Sequence, residues 1–112
     1  MNNTPAAQLP ALTLSAPQKI SELDKNYKRL VKNKTLVQLK GKIIQQSKTP
    51  PHWAFIEDDT GIVLLDFAAT SPNLSLPPKQ INKTLIIEGF ISPSETIINE
   101  YLIIPTTYKL EV

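Results

Sequence analysis

From Thr35 the chain alternates. Val37, Leu39, Gly41 and Ile43 interleave with Gln38, Lys40 and Lys42, the period-two pattern of a half-buried strand, with Gly41 where a bulge or sharp bend is expected. Ser47-Lys48-Thr49-Pro50-Pro51 must be a loop, because consecutive prolines remove two ladder donors and hold the backbone extended. Two β-rich runs follow, Trp53 to Glu57 and Ile62 to Phe67. The polar turn Asp58-Asp59-Thr60-Gly61 between them predicts a hairpin. Residues 68–82 hold Pro72, Pro77 and Pro78, a connection too long for a hairpin loop and with room for one short helical turn. Thr84 to Ile91 reads as a fourth strand, Ser92 to Glu95 as a turn, and Thr96 to Ile104 as a fifth strand that Tyr108 and Leu110 extend past Pro105.

Upstream the period changes. Ile20, Leu23, Tyr27, Leu30 and Val31 recur every three or four residues, and Ser21 with Asp24 resembles a capping box, which predicts a helix over 21–32. Residues 1–17 are uncharged and rich in Pro, Ala, Thr and Asn, and are expected to form a flexible lead-in outside the core. The expected organisation is thus one domain over 18–112, a helix followed by a barrel over 34–110. Ten prolines against three glycines in 112 residues argue against a bundle of long helices and for an all-β domain.

Charge is unevenly spread. Residues 1–34 carry six basic and two acidic groups, whereas residues 35–112 carry six basic and eight acidic ones. The strand region is therefore slightly acidic and the overall +2 comes from the helix, whose lysines most simply form a solvated face. No cysteine is present, which excludes a disulfide scaffold, a thiolate nucleophile and any Cys-ligated metal, and leaves reducing and oxidising compartments equally open. His52 is the single histidine, so no metal site is expected. Glu57, Asp58, Asp59 and Thr60 lack the spacing of a calcium loop. No cofactor is expected, and the absence of a serine elbow, a Gly-rich phosphate loop or a second histidine points away from catalysis. The longest uninterrupted aliphatic run, Ile62 to Leu65, is far short of a membrane span. The first sixteen residues lack the charge and apolar stretch of a signal peptide. The expected location is cytoplasmic as the chain stands, or periplasmic if a leader was removed.

Leu39-Lys40-Gly41-Lys42-Ile43 and Ile87-Glu88-Gly89-Phe90-Ile91 are the same phrase twice, a glycine between apolar neighbours, such as a small closed barrel uses where strands bend. With the Asp-Thr-Gly hairpin and the long third connection, this resembles an OB-fold, a five-stranded Greek-key barrel. More particularly, "LVQLKGKIIQQ…WAFIEDDTGIVLLDF" looks like the opening half of two OB families. One is the anticodon-binding type found in tRNA synthetases and DNA-processing helicases, and the other is the small bacterial OB-fold proteins of the periplasm. The resemblance implies a ligand face on strands two and three, flanked by the first and fourth loops.

Trp53 and Phe55 lie two apart and share one side of their strand, with Ala54 and Ile56 on the other. Either that side is the ligand face, or Phe55 fills the barrel and Trp53 caps its end. On the first reading Trp53, with Phe55 or Phe67, offers stacking surfaces for single-stranded nucleic acid, and Lys40, Lys42 and Lys48 beside His52 meet phosphates. The rival reading is a protein-interaction or assembly subunit that docks a partner through the sheet face or a barrel edge. Both are non-enzymatic binding modules.

Overall fold

In the computed structural model, residues 9–48, 52–69 and 74–111 are described. One helix, α1 (Ile20–Lys32), precedes five strands: β1 (Leu36–Gln46), β2 (Trp53–Asp58), β3 (Gly61–Asp66), β4 (Thr84–Pro93) and β5 (Tyr101–Leu110). The strands close in the order β1-β2-β3-β5-β4, antiparallel throughout except where β3 meets β5 in parallel at Leu65 and Ile103. This is an all-β, five-stranded Greek-key OB barrel with an N-terminal helix. Alternate residues of every strand fill it: Val37, Leu39 and Ile43, then Ala54 and Ile56, Val63 and Leu65, Leu85 and Ile87, and Ile103 are all sealed.

The twin glycines act through close approach rather than through an unusual backbone, since neither has positive φ. A Cβ on Gly41 would stand 2.8 Å from the Glu57 carbonyl oxygen, and one on Gly89 would strike the Ile104 carbonyl. Two irregularities curve the sheet. One falls between Ile43 and Gln45, past the glycine rather than on it; the other falls between Glu88 and Gly89, where β5 carries an extra residue beside Pro105. Proline is tolerated at such a position.

Each end of the barrel is stoppered. At one end α1 buries Ile20 and Leu23, stacks Tyr27 on Tyr101 with ring centroids 5.1 Å apart, and accepts the Tyr101 hydroxyl on Asp24 Oδ1 at 2.5 Å. Burial, reinforced by that carboxylate, holds the Tyr101 phenol well above its ordinary value. The helix starts one residue earlier than expected, with Lys19 as its cap, and the Lys19 N–H donates to Glu22 Oε1 at 3.0 Å. Ser21 is not the cap. Its N–H instead donates to Thr60 Oγ1, and the Ile20 N–H donates to Asp58 Oδ2, so the β2–β3 turn satisfies the helix's first free donors. At the other end Phe67 and Tyr108 meet edge to face at 6.1 Å, and the Tyr108 hydroxyl donates to the Ser75 carbonyl.

Three expectations need correction. Residues 9–17 are not a loose lead-in: they cross the outside of β1, β4 and β5, and Gln18 makes a parallel bridge to Leu39. Residues 1–8 of that expected lead-in lie outside the described residues. The fifth strand begins at Tyr101, not at Thr96. Thr96 Oγ1 accepts the N–H groups of Ile98 and Asn99, a local turn that competes with strand pairing. Between β3 and β4 the described residues contain no helical turn, and residues 70–73 of that connection lie outside the description.

Candidate functional site: an aromatic groove on the hairpin face

The strand register defines the outer face of the β2–β3 hairpin. Trp53 stands opposite Asp66 and Phe55 opposite Leu64, while Gln45 of β1 flanks Phe55. Directly opposed residues share a face, so these side chains form two rows on the barrel's outside. Leu102 of β5 adjoins them, and the β4–β5 loop brings Ser94, Glu95, Thr96 and Ile97 over the edge. Together they line an open groove of about 820 Å³.

Its floor is apolar and its rim acidic. Phe55 is 8% exposed yet stands apart from the barrel core; Trp53 packs on it edge to face at 5.7 Å and is itself only partly buried. Ile97 at the loop tip is 91% exposed. Asp66 uses Oδ1 to accept the Ala68 N–H at 3.0 Å. No lysine, arginine or histidine is among the residues lining the groove.

The sequence-expected residues separate into four groups. Trp53 and Phe55 do meet on the outer face, neither filling the barrel nor capping its end. Phe67 does not join them. It is 1% exposed and sealed against Tyr108, because it continues the inward alternation of Val63 and Leu65. Lys40 and Lys42 are exposed on β1, but Lys42 pairs with Glu57, four residues along β2 from Trp53, about 13 Å at the usual rise of about 3.3 Å per residue. There they border a hollow with Asp58 and Asp59, and Lys40 reaches Glu111 at 3.4 Å. Lys48 and His52 are exposed on the β1–β2 loop, where Ser47 Oγ accepts the N–H groups of His52 and Trp53 and so fixes the start of β2.

The acid-rich turn is structural. Asp58 Oδ1 accepts the Thr60 hydroxyl and the N–H groups of Thr60 and Gly61, while Oδ2 takes Ile20 N–H. Burial alone would raise the Asp58 pKa, but these four donors outweigh it and hold the carboxyl below its ordinary value.

A second acid escaped the sequence reading. Glu88 is 1% exposed although it points away from the core, because residues 9–17 cover it. Its carboxylate accepts Thr13 N–H and Oγ1–H, Leu14 N–H at 2.7 Å and Gln38 Nε2 at 2.9 Å. Gln38 and Thr107 flank it in register on β1 and β4's other neighbour β5, and they bind the Leu14 and Pro10 carbonyls of the same strap. Burial pushes Glu88 up, but the strap's donors prevail and its pKa falls below the usual value. The signal was its place in the repeated phrase, where Glu88 precedes Gly89 as Lys40 precedes Gly41.

No family model matches the chain, and no curated protein matches it either. Among solved structures it is similar to the hypothetical protein ygiW from E. coli, with a TM-score of 0.52 and 16% identity over 87% of this chain and 91% of that one. At that identity the likeness carries the fold alone, a small OB-type barrel.

Proposed function

We propose that this chain is a non-enzymatic binding module that docks a protein partner through the groove on its hairpin face. One observation carries the reading: among the described residues, the groove around Trp53 and Phe55 is lined by the carboxylates of Asp66 and Glu95 and by no cation. A nucleic-acid strand stacked on Trp53 would bring phosphates toward those carboxylates, while Lys40 and Lys42 stand at the far end of the strands beside acids of their own. An extended protein segment suits the groove better, because its apolar side chains can cover Phe55, Leu64 and Leu102 without bringing anionic charge.

Trp53 is the only tryptophan, so its emission reports on the groove directly. The test is a titration with the peptide acetyl-Ser-Leu-Ser-Arg-Ser-Leu-Ser-amide, whose Leu, Arg and Leu share one face when extended. A single-stranded oligothymidylate is run in parallel, each at low and high salt. The expected result is saturable quenching by the peptide and none by the oligonucleotide. Oligonucleotide binding that collapses with salt, with no response to the peptide, would overturn the docking reading in favour of the nucleic-acid one.

A further inference from the structure

Resting on the docking reading, we infer that the groove holds a subsite for an arginine side chain of the partner segment, formed by the Trp53 indole and the carboxylates of Asp66 and Glu95. Trp53 and Asp66 are directly opposed in the β2–β3 ladder, so ring and carboxylate sit side by side on one face. Asp66 commits Oδ1 to Ala68 N–H, an anchor that fixes the carboxylate's orientation, and Glu95 lines the same groove from the β4–β5 loop. A partly buried indole on the outer face beside a fixed carboxylate is the combination a guanidinium fits. The planar cation stacks on the ring and donates its fork of N–H groups to the acid. Lysine supplies the charge but not the plane. Apolar residues on either side of the arginine then reach Phe55 and Leu102.

The occupant is an extended chain because this molecule already seats one in that manner. The strap over 9–17 crosses the neighbouring wall with its backbone donors gathered on the Glu88 carboxylate. The hairpin face offers carboxylates beside an apolar floor, and among the described residues the β4–β5 loop reaches only over its edge.

The experiment compares the arginine peptide above with its citrulline and lysine counterparts and with N-acetyl-arginine amide alone, all read by Trp53 emission and by calorimetry. Citrulline keeps the shape and removes the charge, so its peptide is expected to bind about tenfold more weakly, with lysine between the two. Asp66→Asn keeps the acceptor for Ala68 N–H and, with Glu95→Gln, should reduce the arginine peptide's affinity to that of the citrulline peptide while leaving the latter unchanged. Equal binding of arginine and citrulline peptides overturns the subsite and leaves the docking reading standing. Equal binding of the free arginine derivative overturns the claim of an extended segment. Failure of every peptide overturns both.

Discussion

Two walls of the same barrel are finished differently. The wall made by β1, β4 and β5 carries a polar row, Gln38, Glu88 and Thr107, and the chain covers it with its own strap until every partner is satisfied. The hairpin wall carries Trp53, Phe55, Leu64 and Leu102, and the described chain leaves it open. A buried carboxylate without donors costs several kcal/mol, so a segment that covers Glu88 must also supply its hydrogen bonds. A partly buried aromatic face carries no such penalty and can stay open. The contrast separates what serves stability from what is free to serve binding.

Glu88→Ala is the strongest way to break that contrast. It removes the acceptor that Thr13, Leu14 and Gln38 share, and the loss of these charge-assisted bonds with release of the strap should cost about 3 kcal/mol in urea unfolding. Trp53 emission in the folded state should be unchanged, because the groove lies on the other wall. Truncation to begin at Gln18 should cost less, about 2 kcal/mol, since water then solvates Glu88 in place of the lost donors.

Acid sharpens the same comparison. The pKa values of Glu88 and Asp58 lie below their ordinary range when folded. The unfolded chain therefore takes up protons first, and the stability from these groups is complete above the ordinary carboxylate range. It is lost as pH falls through the folded-state values, below roughly pH 4. Thermal unfolding followed from pH 7 downward should show a falling midpoint in that window. Glu88→Gln should flatten the fall.

The sequence reading and the structure agree where local period decides and part where distant chain does. Strand alternation and the repeated glycine phrase suffice to place β1 through β4 and to put Trp53 and Phe55 on one side of β2, but which side faces out is decided by closure of the barrel. Parity also turns Phe67 inward, as the third of Val63, Leu65 and Phe67. Lys40 and Lys42 share a strand face, but their distance from Trp53 depends on the β1–β2 register and the irregularity after Ile43, which no local pattern encodes. The strap was hidden for a similar reason. Its composition is that of a loose segment, and what orders it is a glutamate 75 residues away from Thr13.

The smallest effects on stability belong to the open wall, and there the expectation is a separation of folding from binding. Trp53→Ala removes a partly buried outer-face ring that packs edge to face on Phe55 and lies outside the barrel core, so it should lower stability by about 1 kcal/mol, well short of the roughly 3 kcal/mol expected of a core aromatic. Ile97→Ser, at a loop tip with 91% of its surface free, should change stability by less than about 0.5 kcal/mol. Both should nonetheless weaken the arginine peptide, read by circular dichroism for folding and by calorimetry for binding. Trp53→Ala should act most on the arginine and Ile97→Ser on the flanking leucines. If either variant unfolds the barrel while sparing the peptide, the hairpin wall is structural and the division between the two walls fails.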